Sequence, residues 1–189
     1  MSETAEQAAM PHISGPTILL SSGAYFNYET PWLSDFTIRD IAKGLSNTCR
    51  FGGQCPRFYS VAEHSVLMSH CVADEFAFEA LMHDAAEAFI CDMPKPLKML
   101  LPDYRLVEDR VEAAVATRFG FPEKKTPAVK EMDIRMLAAE QQQVMGNSHT
   151  WHHTHGLSAA PITVQFWSPQ EAETEFLSQF YALSARRAA

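Results

Sequence analysis

The amino-acid sequence predicts an all-α protein, a bundle of six or seven helices with one small β-hairpin at its edge. Three observations favour this class. Apolar residues recur at helical spacing in several segments, prolines and glycines separate those segments, and the strand-like runs are short and few. Because each helix has one apolar face to bury, the helices are expected to pack on one another as a bundle.

The beginning of the chain differs from the rest. Residues 1–12 are small and polar without periodicity, so we expect a disordered tail followed by a single domain over residues 13–189. A chain of 189 residues with 47% hydrophobic residues can bury about 70% of its unfolded surface. The four cysteines lack CxxC spacing, and Cys71 and Cys91 lie in apolar helical patterns, which predicts reduced, packed thiols.

The β-hairpin is predicted where two apolar runs, residues 17–20 and 24–28, flank the turn residues Ser22-Gly23. A second strand-like run covers Ile162 to Trp167. The helices are predicted after the start signal Ser34-Asp35, over residues 60–73, 75–90, 104–119 and 123–145, and from the capping box Ser168-Pro169-Gln170-Glu171 onward.

Charge and hydropathy exclude two classes of function. The formal net charge of −8 argues against a duplex nucleic-acid binder, which would present a basic face to phosphates. The longest apolar runs are too short to cross a bilayer, and the N-terminus lacks the basic and hydrophobic parts of a signal peptide. We therefore expect a cytoplasmic protein that has no membrane partner and acts on a small molecule.

Four residues on three predicted helices carry the candidate chemistry. They are His64, the adjacent pair His83-Asp84, and Asp133. Two imidazoles and two carboxylates form a mixed set of nitrogen and oxygen ligands that suits a divalent ion such as Zn, Mn, Co, Fe or Mg. A single histidine on a helix is more often packed or solvated, so this interpretation depends on the whole set.

The surroundings of His83-Asp84 favour the metal interpretation. Leu81-Met82 before the pair and Ala85-Ala86 after it make this helix almost wholly apolar, and an unpaired Asp84 there would cost several kcal/mol. A bound cation removes that cost. Glu87 follows one turn later on the same helical face, where it is placed for acid/base work beside the ion.

These residues resemble a known family. The segments Tyr59-Ser60-Val61-Ala62-Glu63-His64-Ser65, His83-Asp84-Ala85-Ala86-Glu87 and Asp92-Met93-Pro94-Lys95-Pro96-Leu97-Lys98 resemble the HD-domain metal-dependent phosphohydrolases. They are most similar to the bacterial 5′-deoxynucleotidases and the small phage dATP triphosphohydrolases. The resemblance implies an HD-type helical bundle, a metal held by the four residues above, and a homo-oligomer such as a dimer or hexamer.

The resemblance also implies roles for the neighbouring residues. Glu87, with the metal-ligating Asp84, would be catalytic, since a glutamate at this position orients or deprotonates the attacking water. Arg50 would contact phosphate, as guanidinium geometry allows. Asp92 would meet the sugar 3′-hydroxyl, and Lys98 would face phosphate or solvent. A metal ion in this set would lower the pKa of a bound water toward about 7.

One departure bears on the substrate. The nucleotidases have tryptophan after the arginine, where this chain has Phe51-Gly52-Gly53, a segment more similar to the phage enzymes. The expected substrates are thus purine dNTPs or dNMPs, with deoxy preference left open. The alternatives are a catalytically weak nucleotide-sensing module and a phosphohydrolase of another small phosphate ester. A metal-binding loop formed by His149, His152, His153 and His155 is a less favoured possibility.

Overall fold

Helices make up most of the protein, as the sequence predicts, in a computed structural model that describes residues 13–147, 149, 151, 154 and 156–188. The predicted disordered tail, residues 1–12, lies outside this range. None of the helices in the described part of the chain has both the length and the apolar character that a bilayer crossing requires.

The elements follow the predicted order. Strands β1 (Thr17–Leu19) and β2 (Tyr25–Asn27) form an antiparallel pair in which Ile18 faces Phe26. The helices within the described residues are α1 (Ile38–Asn47), α2 (Val61–Ser69), α3 (Ala77–Met82), α4 (Glu87–Ile90), α5 (Lys95–Lys98), α6 (Pro102–Phe119), α7 (Pro127–Gln143) and α8 (Pro169–Arg187). Helices α3 and α4 together correspond to the single helix predicted over residues 75–90. Helix α8 begins at the predicted capping box, in which Ser168 and Glu171 bond each other's backbone amides.

The hairpin is fastened to the bundle through aromatic contacts. The Phe26 ring stacks on the Phe89 ring of α4 with centroids 4.0 Å apart, and it meets the Phe36 ring edge-on at 5.4 Å. The Tyr28 hydroxyl donates a hydrogen bond of 2.7 Å to the Phe89 carbonyl. The hairpin therefore holds α4, the helix that begins at Glu87.

Helix α2 lies at the centre of the bundle. It packs against α1, α3, α7 and α8, and eight of its nine residues are buried. Its N-cap is Ser60, whose hydroxyl accepts the Glu63 amide. Because α2 is surrounded, its polar residues Glu63 and His64 lie inside the protein with no exposed surface, and each needs an internal partner.

Helix α1 begins three residues later than predicted. The cap is Thr37 in a capping box with Asp40, and Ser34 is used elsewhere, because its hydroxyl accepts the Asn27 amide of β2 at 2.9 Å. Helix α2 ends at Ser69, and α7 covers residues 127–143, so the helices predicted over 60–73 and 123–145 were each drawn too long.

The strand predicted over Ile162 to Trp167 is wrong. This segment is extended, but it pairs with no strand among the described residues. The amides of residues 165, 166 and 167 donate instead to the buried Glu63 carboxylate, at 2.7, 3.0 and 2.8 Å. Its alternating apolar pattern reflects burial of Val164 and partial burial of Ile162 against the core.

The four cysteines are free thiols, as predicted. The Sγ atoms of Cys49 and Cys55 lie 3.8 Å apart, and Cys71 is half-buried. Cys91 departs from its predicted packed position: it ends α4 at φ 66° and is exposed. Such a backbone conformation is rare for residues other than glycine, and it stops the helix one residue before Asp92.

Gly44 sets the close approach of α1 to α4. A Cβ added to Gly44 would lie 2.6 Å from the Ala88 carbonyl oxygen and 2.8 Å from its Cα. Alanine normally stabilises a helix interior relative to glycine by about 1 kcal/mol. We predict that Gly44→Ala instead lowers the free energy of unfolding by about 1–3 kcal/mol, because backbone atoms of α4 cannot move aside freely.

The measurement for this prediction is denaturant unfolding followed by circular dichroism. Arg39→Ala, at an exposed position of the same helix, is the matched control and should change stability by no more than about 0.5 kcal/mol. A Gly44→Ala protein as stable as the wild type would contradict the close packing of α1 on α4.

Candidate metal centre

The pair His83-Asp84 lies where the helix predicted over residues 75–90 is interrupted. Residues 83–86 form successive tight turns in which Ala85 donates to the Met82 carbonyl at 3.0 Å and Glu87 to the Asp84 carbonyl at 2.9 Å. These bonds span three residues rather than four, so the backbone is wound more tightly than in an α-helix. Such a tightened stretch inside a helix often marks a functional site.

The four predicted ligands converge on one point. His64 Nε2 and His83 Nε2 are 3.3 Å apart, and Asp133 Oδ1 lies 3.6 Å from the first and 3.7 Å from the second. Asp84 Oδ2 lies 3.0 Å from His83 Nε2 and 3.8 Å from His64 Nε2. Ligand atoms of His64, His83 and Asp133 all lie within 4.8 Å of one another, a grouping that could hold a metal ion.

Both imidazoles are oriented by hydrogen bonds at the far side of the ring. His83 Nδ1 lies 2.8 Å from the Ala80 carbonyl, to which it can only donate, and His64 Nδ1 lies 2.5 Å from the Glu140 carboxylate. When each Nδ1 carries the proton of a neutral imidazole, each Nε2 presents a lone pair.

This arrangement of atoms fits a divalent cation. Two Nε2 lone pairs and two carboxylates facing one another repel unless a positive charge lies among them. Imidazole ligands at about 2.1 Å from one ion, at a near-tetrahedral angle, lie about 3.4 Å apart. The observed 3.3 Å between the Nε2 atoms agrees with that separation.

Glu140 supports the site from behind and was not predicted. It is fully buried on α7, and its carboxylate accepts His64 Nδ1, the Tyr59 hydroxyl at 2.8 Å and Arg50 Nη2 at 2.8 Å. Burial by itself would raise the pKa of Glu140, but Arg50 and His64 outweigh it and lower the pKa to about 2. A histidine bonded to a carboxylate in this way is typical of metal sites.

Lys125 is a second residue that the sequence did not predict. Its ammonium group donates to Asp84 Oδ1 at 2.9 Å and to Asp133 Oδ2 at 3.3 Å, so it bonds the oxygens turned away from the imidazoles. Burial by itself would lower the pKa of Lys125, but the two aspartates raise it. Lys125 therefore orients both carboxylates and offsets part of their charge.

Glu87 lines the same cleft as Asp84 and Asp133 of the candidate metal centre. Its side chain is buried, and its Oε2 atom has no hydrogen-bond partner among the described residues. Burial raises the pKa of Glu87 well above its ordinary value, and the neighbouring Asp84 and Asp92 raise it further. A buried carboxyl with a free oxygen and a raised pKa is suited to exchanging a proton with a bound molecule.

Arg50 is held in the same region by three carboxylates. Besides the short contact with Glu140, its Nη1 atom lies 3.9 Å from Asp84 and 3.8 Å from Asp92. The pKa of Asp92 is raised above its ordinary value, because burial and the charge of Asp84 together outweigh the lowering effect of Arg50. The two contacts of Nη1 are longer than hydrogen bonds, so this nitrogen retains donor capacity toward a ligand.

A cleft of about 890 Å³ opens beside these groups, and its volume is typical of a site for a small molecule. All four predicted substrate-binding residues line it, namely Arg50, Phe51, Asp92 and Lys98, as do Asp84, Glu87 and Asp133. Lys98 is hydrogen-bonded to Glu108, a contact that the sequence did not indicate. Trp151 lines the cleft as well.

The sequence pattern marked one of the two residues that were not predicted, Glu140, but not the other, Lys125. Glu140 follows Asp133 by seven residues on one helix, so helical periodicity placed the two on the same face. Lys125 lies in the irregular segment before α7, and no periodic pattern marked it. In the histidine-rich loop, His152, His153 and His155 lie outside the described residues, and a metal site there stays a possibility that the structure does not address.

Comparison with known proteins gives two relatives. The chain is 42% identical over 168 residues to the uncharacterized protein YfdR of Escherichia coli. The alignment covers 88% of this chain and 94% of YfdR. It is also 35% identical over 141 residues to an uncharacterized protein of Rhodobacter capsulatus. That alignment covers 67% of this chain and 72% of the relative. No protein-family model matches the chain.

The position of Glu140 generates a prediction for metal binding and stability. We predict that Glu140→Gln weakens divalent metal binding by about 10–100-fold, because His64 loses the carboxylate that orients it. The same change should lower the free energy of unfolding at pH 7 by roughly 3–5 kcal/mol, since Arg50 is left buried with less compensation. Metal titration and denaturant unfolding measure the two effects.

The pH dependence has a defined sign. The pKa of Glu140 is depressed from 4.5 to about 2, so its carboxylate stabilises the fold above pH 4.5 and loses that contribution as the pH falls toward 2. The stability difference between wild type and variant should therefore shrink in acid. Glu131→Gln, an exposed position on the same helix, is the control, and equal effects of both substitutions would refute the role of Glu140.

Proposed function

The chain belongs to the protein family that includes YfdR of Escherichia coli, and for this member we propose a metal-dependent phosphohydrolase activity on nucleotides. The observation that carries the proposal is the convergence of His64, His83, Asp84 and Asp133 beside a cleft that also contains Glu87. Mixed imidazole and carboxylate ligands leave coordination positions for water and substrate. The resemblance to HD-domain phosphohydrolases points to the same activity.

The residues of the chain divide the chemistry among them. A divalent ion held by the four ligands supplies Lewis acidity, which lowers the pKa of water and polarises a phosphoryl oxygen. Glu87 Oε2, free of other partners, accepts the proton of the water that attacks phosphorus. Arg50 Nη1 and Lys98 offset the charge that develops on the phosphoryl oxygens. As the bond between phosphorus and the ester oxygen breaks, the proton passes to that oxygen, so the products are an alcohol or nucleoside and a phosphate or triphosphate.

The positive groups explain how an acidic chain accommodates an anionic substrate. Arg50, Lys95, Lys98, Arg105 and Lys125 line the cleft together with seven carboxyl groups, and the divalent ion that the four ligands would hold would add positive charge, although the net charge of the whole chain is −8. Charges that line the cleft, rather than the net charge of the chain, determine whether a bound phosphate is attracted. Salt limits the reach of more distant surface charges to about 10 Å. The cleft is therefore compatible with a mono- or triphosphate.

A substrate panel tests the proposal. The metal-loaded protein is incubated with each dNMP, dNTP and NTP and with Mn, Co, Mg or Zn, and products are resolved by anion-exchange chromatography. We expect purine deoxynucleotides to be hydrolysed at the 5′-phosphate, releasing orthophosphate from a dNMP or intact triphosphate from a dNTP. The Asp133→Ala protein should lose both metal and activity while keeping its helical circular dichroism. Turnover of no nucleotide with any of these metals would refute the activity.

Glu87 generates a separate prediction. Because the Glu87 carboxyl makes no hydrogen bond to the four ligands among the described residues, Glu87→Gln should retain metal and lower turnover by roughly 10²–10⁴-fold if it is the general base. Elemental analysis and initial rates measure the two properties on the same preparation. Glu75→Gln, at an exposed position before α3, is the matched control. Loss of metal from the Glu87→Gln protein would instead make Glu87 a structural support of the site.

A further inference from the structure

We propose that Phe51 and Trp151 form a subsite for a planar aromatic ring, and that Trp151 selects nucleotides over other phosphate esters by stacking on the base. This aromatic subsite, defined by these two side chains, deepens the proposed function and rests on it. Trp151 belongs to the histidine-rich stretch of the chain, in which no sequence pattern indicates substrate contact.

The two rings lie together on the cleft. Their centroids are 6.3 Å apart at an interplanar angle of 60°, both line the same cleft as Asp84 and Glu87, and both are half-buried. At this distance and angle the two rings are tilted and do not stack face to face on each other. Half-buried aromatic faces on a cleft that also contains cations are typical of sites that bind a ring attached to phosphate.

The backbone at Phe51 is a second, independent observation. Phe51 has φ 57°, in the left-handed region that non-glycine residues rarely adopt, and Gly52 and Gly53 continue the turn at φ 60° and 75°. A bulky residue in this conformation costs free energy, and such residues cluster at ligand-binding positions. The turn gives the Phe51 side chain its position on the cleft beside Trp151.

Arg50 connects the aromatic subsite to the metal centre. Its guanidinium carbon lies 5.6 Å from the Phe51 ring centroid, while its Nη1 atom lies 3.9 Å from Asp84. A ligand whose phosphate lies at the candidate metal centre would extend past Arg50 toward Phe51 and Trp151. The part of the ligand that reaches these two rings is the group attached to its sugar at the end away from the phosphate. In a nucleotide that group is the base.

Stacking also predicts how the subsite discriminates among bases. A π-face accepts every base, and the larger purine ring covers more aromatic surface than a pyrimidine. The aromatic subsite therefore favours purine over pyrimidine nucleotides in affinity. It contributes nothing to a ligand that has phosphate and sugar but no base.

Binding measurements without turnover test the subsite directly. The full chain, freed of metal with a chelator, is titrated with dAMP and with 2-deoxyribose 5-phosphate by calorimetry, and quenching of tryptophan fluorescence is followed in parallel. Trp151→Leu should weaken dAMP binding by about 10-fold or more and leave the sugar phosphate unchanged. Trp151→Phe should keep dAMP binding within about threefold of wild type but lose the quenching, because phenylalanine stacks without tryptophan fluorescence.

Controls separate this proposal from its premise. Trp32→Leu removes a tryptophan that is 57% exposed and does not line the cleft, and it should change neither binding nor quenching. With metal restored, Trp151→Leu should raise KM for dAMP or dATP by about 10-fold and change kcat by no more than about twofold.

The outcomes are distinguishable. The aromatic subsite is refuted if the Trp151→Leu protein binds dAMP as tightly as the wild type, if quenching persists in Trp151→Phe, or if the wild type binds no nucleotide either with metal or without it. Base-dependent binding that requires Trp151, together with failure of every nucleotide to be hydrolysed, supports the subsite and refutes the phosphohydrolase proposal alone.

Discussion

The buried carboxylate of Glu140 joins the parts of the molecule on which the site depends. It accepts His64 from α2, Arg50 from the turn before the cleft, and Tyr59 from the segment that precedes α2. A carboxylate enclosed in protein is costly unless its oxygens are bonded, and here three donors on three parts of the chain satisfy it. The same hydrogen bonds orient the His64 ring and hold Arg50 at the cleft. The stability of the fold and the geometry of the site therefore depend on the same group of residues.

A second constraint is the tightly wound stretch at residues 83–86. It lies between two helices that are held independently, α3 against α2 and α8, and α4 against α1 and the hairpin. The close approach of Gly44 to Ala88 and the stacked ring of Phe89 leave α4 little freedom. His83 and Glu87 are consequently placed by packing on both sides, which suits groups that have to meet a small ion and a substrate with defined geometry.

The two candidate ligand carboxylates lie between the imidazoles on one side and a lysine on the other. Asp84 and Asp133 face the imidazoles with one oxygen and Lys125 with the other, so each carboxylate is oriented from two sides. Burial opposes ionisation of Asp133, but Lys125 and both histidines keep its pKa well below the ordinary value. Glu87, without such partners, has its pKa shifted upward instead. The pKa values of carboxyl groups in one site thus shift in opposite directions because their neighbours differ, which separates the candidate ligands from a candidate acid/base residue.

The sequence by itself determined the helical class, the hairpin, the cap of α8 and the four residues that converge, because periodicity, turn residues and the motif His83-Asp84 are local signals. Tertiary structure decided the rest. Glu140 bonds His64, which is 76 residues away in the sequence, and Lys125 bonds Asp84, which is 41 residues away. Trp151 contacts Phe51, about 100 residues away. Helical periodicity placed Glu140 on the face of Asp133, but no local pattern encodes any of these three contacts. The segment 162–167 looked like a strand because burial on alternate sides produces the same pattern as pairing, whereas its amides are satisfied by Glu63.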